Sequence, residues 1–495
     1  MVVERDVVRM GTAPGRFVLA ATIGGSALAA LDATVVNVAL PSIGDELDAS
    51  LAGLQWVITG YMLALASLIL VGGSLGDRYG RRRVFVVGVV WFSVASLLCG
   101  IAPTLPLLVA ARILQGVGGA LLTPGSLAII QAGFHPEDRG RAVGAWSGLG
   151  GVATAVGPFA GGWLIQYASW RWVFLINLPV AAGVVLLARH VPETRDPATA
   201  GRIDVAGAVT ATLGLGALTL ALTQAGSVGW TTGVIAGLVV GAVATVAFVV
   251  LQRREHHPLV PLRLFSSRQF AAANVVTFGL YAALAAATFL LVVQLQTSAG
   301  FSPLAAGTAL LPVTFIMLVL SPRAGALAQR IGPRIPMAVG PIVTAAGLLL
   351  MTRIGPGASY LTDVLPTVIV FGLGLAGFVA PLTATVLAAA PTENASTASG
   401  INNAVARVGG LTAVAAIPIV AGLSGQDYLD PLLLTAGFRT TMIVAAVLAA
   451  GSGVLAWFTI SSNVCRGRPR PSRQYVCAID AAPIDVPELT TSGAR

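Results

Sequence analysis

One acid, Asp32, stands inside the apolar run ALAALDATVVNVALP at residues 27–41. An ionisable group at membrane depth is costly unless paired or wetted, so it reads as a functional residue by default. Arg112, in the run RILQGVGG at 112–119, is its natural counter-charge. At 1.5 Å per helical residue, Asp32 lies ~12 Å and Arg112 ~9 Å below the same surface, so the two can face each other. Two chemistries fit. Asp32 is either a carboxylate that takes and releases a proton as its distance from Arg112 changes, or half of a fixed ion pair that sets packing.

Further polar residues gather at helical spacing. Arg112, Gln115, Gly116 and Gly119 fall at i, i+3, i+4 and i+7, a polar stripe beside small residues that admit a close neighbour, or simply a packing seam. Asn403 and Arg407 share a face at i, i+4. Either they line the inner half of a cavity or Arg407 snorkels to the surface. GPFAGG at 157–162 places Gly157, Pro158, Gly161 and Gly162 where a bent, tightly packed hinge, or ordinary membrane-helix packing, would use them. In GSLGDRYGRRR at 73–83, Asp77 among arginines suits a charged latch, or a basic anchor with its counterion.

The elements that position these residues are membrane spans. Of the 495 residues, 56% are hydrophobic and 10% charged, with mean hydropathy +0.86, against about 25% charged in soluble domains. Fourteen apolar stretches of spanning length recur, at 17–40, 54–76, 84–102, 106–130, 142–166, 172–190, 204–224, 232–251, 272–296, 304–322, 336–353, 363–388, 400–423 and 440–460. All 29 basic residues are arginine. With the N-terminus inside, only Arg171, Arg353 and Arg439 fall in outer loops and only Arg112 and Arg407 within spans, so both termini are expected in the cytoplasm. The net charge of +9 is explained by arginines facing anionic lipid, and no nucleic-acid partner is expected.

An internal repeat divides the chain. GSLGDRYGRR at 73–82 matches GALAQRIGPR at 325–334, and a weaker echo pairs Gly116, Gly119 and Pro124 with Gly374, Gly377 and Pro381. The expected organisation is a cytoplasmic N-terminus (1–16), a six-helix half (17–195), a two-helix insert (196–258), a second six-helix half (259–462) and a disordered cytoplasmic tail (463–495). Halves so related are the layout of secondary transporters.

Other chemistries are excluded. GGSLG at 72–76 fits a nucleophile pattern but follows no strand. The four histidines and three cysteines show no metal spacing, and without lysine there is no phosphate-loop ATPase. No cofactor is expected, and the energy must come from a gradient or a partner.

Through LDATVVNVALP (31–41), GSLGDRYGRRR (73–83), RILQGVGG (112–119), GPFAGG (157–162) and WRWVFLINLP (170–179), the chain resembles the major facilitator superfamily. Within it, the resemblance is to the fourteen-span drug:proton antiporters, over residues 15–460. The resemblance implies an all-α major facilitator fold, proton coupling through Asp32 and Arg112, and a gating motif of Gly73, Asp77, Arg78, Gly80 and Arg81. It also implies an antiporter hinge of Gly157, Pro158, Gly161 and Gly162, and export. Ala153 stands where the hinge motif often has another glycine, and Gln329 replaces the acid of the second gate copy. The expected protein is a monomeric, proton-driven exporter of an amphipathic drug or antibiotic in the cytoplasmic membrane, moving one proton per cycle. The alternatives are a facilitator or importer of a metabolite on the same fold, and a non-transporting sensor.

Overall fold

A computed structural model describes residues 8–195, 204–255, 258–390 and 395–462. The expected disordered tail, Cys465, Cys477, His256 and His257 lie outside the described residues. The described structure is helical, apart from one bridge between Val8 and Phe134.

The helices are α1 (Ala13–Leu47), α2 (Leu51–Tyr79), α3 (Arg81–Gly100), α4 (Leu105–Gly133), α5 (Pro136–Tyr167), α6 (Trp172–Leu175), α7 (Asn177–Ala188) and α8 (Val205–Val228). They continue as α9 (Thr232–Arg254), α10 (Arg268–Val293), α11 (Pro303–Thr308), α12 (Leu311–Ile331), α13 (Arg334–Met351), α14 (Leu365–Ala388), α15 (Ala395–Ala421) and α16 (Pro431–Thr459). Twelve helical segments among the described residues are long and apolar enough to cross a membrane, not the fourteen expected from sequence. α5, of 32 residues, is a further long helix of the first half. The α6–α7 segment, Trp172–Ala188, is short and breaks at Ile176.

Local chemistry sets the boundaries. Thr12 and Ser50 cap α1 and α2 by accepting from the backbone N–H of Gly15 and Gly53. Asp48 closes α1 in the left-handed region at φ 49°, so the α1–α2 turn needs only three residues. Between α2 and α3, Gly80 adopts φ +115°, and between α12 and α13, Gly332 adopts φ +87°. Both positions favour glycine, and they occupy equivalent places in the two copies of the repeat.

The repeat extends into packing, with a changed register. A Cβ on Gly88 would lie 3.1 Å from Gly118 O, and one on Gly340 would lie 3.1 Å from Gly374 O. Gly116 likewise abuts the Tyr61 backbone, as Gly372 abuts Val313. The equivalent pairs are therefore Gly116 with Gly372 and Gly118 with Gly374. The pairing of Gly116 with Gly374 and Gly119 with Gly377 read from sequence is two residues off, because these helices hold enough small residues for more than one register to match. The cause of the spacing is steric: a helix crossing at backbone contact needs glycine at the crossing point itself.

The bundle has two ends. At one, which carries Gly80, Arg81 N donates to Thr194 O, Val8 N to Gly133 O, and Glu193 accepts from the N–H groups of Arg82 and Arg83. At the other, Leu51 N donates to Gly425 O, Gln426 Nε2 to Asp48 Oδ1, Tyr428 OH to Ala49 O and Gln296 Nε2 to Val38 O. These four bonds tie the α1–α2 turn and α1 to the second repeat and shut the Asp48 end. Burial pushes the Tyr428 phenol up to about 12, with Asp45 and Asp48 adding to the shift, so it remains a donor at physiological pH. Glu46 joins the same end, pairing with Arg171 and accepting from Trp170 Nε1 at 2.6 Å. Outward apolar side chains such as Val239, Val243 and Val246 of α9 form a surface that only hydrocarbon would solvate well.

Candidate functional site

Asp32 and Arg112 meet at the centre of the first repeat. Each is 1% exposed, and Arg112 Nη1 donates to Asp32 Oδ2 at 2.6 Å. Gln115 Nε2 donates to Asp32 Oδ1 at 2.8 Å and to Ser96 Oγ at 2.7 Å. Asn177 Nδ2 reaches Asp32 Oδ1 at 3.4 Å and Ser96 Oγ at 3.2 Å. The guanidinium is held in turn by Val57 O, Gln115 Oε1 and the ring of Tyr61, whose centroid is 4.4 Å from Cζ. Five helices thus supply one polar island: α1, α2, α3, α4 and α7.

Such an island is stable only while complete. Burying two charges costs several kcal/mol per ion, returned through their attraction and through hydrogen bonds to every remaining lone pair. Asp32 receives three donors, so its ionised form is well satisfied. Protonating it would withdraw the charge that holds Arg112 and one acceptor from Gln115 or Asn177. Loss of the Asp32 charge would therefore require these hydrogen bonds to rearrange.

The glycine-rich stretch lies beside this island. A Cβ on Gly157 would collide with Thr34 Oγ1, and one on Gly161 would come 2.6 Å from Val35 Cγ1. Both glycines let α5 press against α1 within three residues of Asp32. Gly162 faces the other way, where a Cβ would come 2.6 Å from Pro303 O, and Pro158 O is approached as closely by Gly307 of α11. GPFAGG is thus a contact between α1 and the second repeat. The residues of the 73–83 motif form their own group. Asp77 is bonded to Arg81, at 2.9 Å to Nε, and Gly73, Asp77 and Arg81 line a cavity of about 130 Å³ with Pro124 and Gln131. Gly80 abuts Glu193, and Arg78 lies over the Tyr79 ring.

Asn403 and Arg407 sit on α15, and neither is hydrogen-bonded to the island. Asn403 is exposed and donates to Ser399 O. Arg407 is half-buried, and its Nε is enclosed without a hydrogen-bond partner. Sequence reasoning missed Ser96, Asn177 and Tyr61. Asn177 lay within the quoted WRWVFLINLP, where a lone amide in an apolar helix was the available signal.

Residues 22–414 match the Major Facilitator Superfamily. The chain belongs to this superfamily. It is 36% identical to a puromycin resistance protein of Streptomyces alboniger, over 90% of this chain and 91% of that one. It is likewise 36% identical to a tetracenomycin C resistance and export protein of Streptomyces glaucescens, over 81% of this chain and 75% of that one. A methylenomycin A resistance protein of Bacillus subtilis is 35% identical, over 89% and 93%. A D-xylose–proton symporter superposes with TM-score 0.63 at 15% identity, covering 90% of this chain and 97% of that one. A peptide transporter superposes with TM-score 0.66 at 15% identity, covering 93% and 97%. These structures share the fold. Membership of the superfamily makes the chain a membrane transport protein rather than an enzyme.

Proposed function

We propose that this protein exports an amphipathic small molecule of the antibiotic or drug class across the cytoplasmic membrane, in exchange for protons. The observation that carries the coupling is the buried Asp32–Arg112–Gln115–Asn177–Ser96 network, whose hydrogen bonds must rearrange when Asp32 is protonated. Export of antibiotics is supported by the similarity to resistance and export proteins over most of the chain. Asp32 and Arg112 couple, GPFAGG is the pivot against α1 and α11, and Asp77 with Gly73, Arg78, Gly80 and Arg81 gates. The proton gradient supplies the energy, with no cofactor, and the monomer is the working unit.

The topology follows the same reading. The loop before α5 lies at the Gly80 end, beside Val8, and the loop after it at the Asp48 end, where Arg171 pairs with Glu46. The chain is back at the Gly80 end at Glu193. These anchors support α5 and α6–α7 as two further crossings, for fourteen in all, arranged as a first half to about residue 195, an insert of α8 and α9, and a second half from about 259. The arginine distribution supports the Gly80 end as cytoplasmic, with both termini there, so the shut Asp48 end faces outward.

The test uses inside-out vesicles with an acidic interior, recording proton leakage as antibiotics and dyes are added. Leakage triggered by a compound in the wild type and lost in Asp32→Asn is the expected result. A full response in the variant would favour a facilitator with a purely structural ion pair, a reading to which the complete satisfaction of Asp32 also lends itself.

A further inference from the structure

The polar island leaves one charge unaccounted for. Arg407 of α15 makes no hydrogen bond or ion pair among the described residues, and its Nε is buried. The other orphan in this region is the Tyr61 hydroxyl of α2, buried and likewise without a partner. Arg407 is half-buried, with only its Nε fully enclosed, and an unpaired guanidinium among apolar helices is costly unless water or a ligand completes it.

The two residues lie on neighbouring helices, α2 and α15, across the boundary between the repeats. α2 and α15 run antiparallel, joined by Gln55 Nε2 to Val414 O at 2.6 Å and by Leu70 against Gly400. From the first contact, Tyr61 is six residues along α2 and Arg407 seven along α15, about 9 and 10.5 Å at the helical rise, so they reach the same depth. Arg407 interacts electrostatically with the phenols of Tyr61 and Tyr281, and among the described residues it forms no ion pair with a carboxylate. The carboxylate at comparable depth, Asp32, is already committed to Arg112. Among the described residues, the region around Tyr61 therefore holds two guanidinium groups and one acid.

We propose that Arg407 and the Tyr61 hydroxyl form a recognition site for an anionic oxygen group, a carboxylate, enolate or phenolate, on the molecule this protein exports. The guanidinium supplies charge and donors, and the phenol supplies one more donor. Occupancy would neutralise the spare charge. The opposite face of the contact is also informative: the Tyr61 ring rests on Arg112, so the residue that touches the ligand touches the proton pair as well. Tyr61 is then the positioning link between substrate and Asp32. The inference rests on the export reading and adds the substrate class to it.

The experiment uses the purified full-length chain in detergent and two xanthene dyes of similar size. Fluorescein carries the anionic oxygens, whereas rhodamine 6G is an esterified cation. Anisotropy titrations in gluconate buffer are expected to show fluorescein bound at least about tenfold tighter. Arg407→Gln is expected to erase that preference while leaving rhodamine 6G binding unchanged, and Arg407→Lys to keep part of it. Tyr61→Phe is expected to weaken fluorescein about threefold. Thermal unfolding separates recognition from architecture: Arg407→Gln should melt at the wild-type temperature or above it. Equal binding of both dyes, binding of neither, or a lowered melting temperature with both dyes lost together would overturn the proposal. So would complete displacement of fluorescein by chloride, which would assign the site to an inorganic ion. The vesicle experiment stands apart. If Asp32→Asn leaks as wild type while the dye preference depends on Arg407, proton coupling falls and the anion site remains; the converse result removes the site and spares the coupling.

Discussion

Asp32 and Arg112 are mutually dependent in a way that makes their variants asymmetric. Asp32→Asn leaves a guanidinium buried against Val57 O, Gln115 and Tyr61 with no counter-charge, a loss of about 3–5 kcal/mol for a broken buried pair. Its unfolding midpoint should fall accordingly, and proton-linked export should drop at least about a hundredfold. The double variant Asp32→Asn with Arg112→Gln should regain most of the stability and none of the coupling, as read by thermal unfolding and vesicle leakage. A double variant that still couples would remove Asp32 from the mechanism. Asp32, Arg112 and Gln115 were legible in sequence because charge inside an apolar run, and i, i+3 spacing on one helix, are one-dimensional signals. Ser96, Asn177 and Tyr61 were not, since a single polar residue on an apolar helix carries no period, and only three-dimensional packing shows which of the many hydroxyls and amides meet the carboxylate.

Glycine governs this protein at the level of its helices, through two separate physical effects. At Gly80 the effect is conformational: φ +115° strains any residue with a side chain, and a Cβ there would also meet the Glu193 carboxylate at 2.6 Å. Gly80→Ala should cost about 1–3 kcal/mol from backbone strain alone, visible as a lowered unfolding midpoint. Gly332→Ala, at φ +87° and with Ser462 O 2.7 Å away, should behave alike, and unchanged stability in either would contradict the repeat at this point. At Gly157 and Gly161 the effect is one of space, since their neighbours are Thr34 and Val35 of α1. Gly161→Val should push α5 from α1 and reduce export by about tenfold or more while the protein remains folded by size-exclusion chromatography. A fully active Gly161→Val would argue against the close α1–α5 contact as the pivot. The repeat motif around Gly80 and Gly332 was readable because turn glycines align by sequence. The crossings at Gly116, Gly118, Gly372 and Gly374 were misaligned because small residues are so abundant in these helices that several registers match nearly as well, and only backbone contact selects one.

For the molecule as a whole, the shut Asp48 end and the spare charge at Arg407 combine into a statement about energy. Export requires the Gln426–Asp48, Tyr428–Ala49 and Gln296–Val38 contacts to part, so that the two repeats rock about the site between them. Cysteines at Asp48 and Gln426, in a chain lacking Cys99, Cys465 and Cys477, should cross-link under oxidation and halt export until reduced; export through the cross-linked protein would refute the opening. Once that cycle runs, its charge balance depends on what Arg407 carries. A neutral substrate exchanged for one proton moves one positive charge inward, and a monocation moves none. A monoanion leaving as one proton enters moves the equivalent of two, so a membrane potential, negative inside, contributes about 4.6 kcal/mol per 100 mV instead of about 2.3. Export of an acidic compound by reconstituted vesicles at a clamped pH gradient should therefore respond to an imposed potential twice as steeply as export of its methyl ester, provided both are carried. Equal slopes for the acid and the ester would mean that the carboxyl group crosses neutralised, by its own proton or a second one, and that Arg407 holds it only as a hydrogen-bond acceptor.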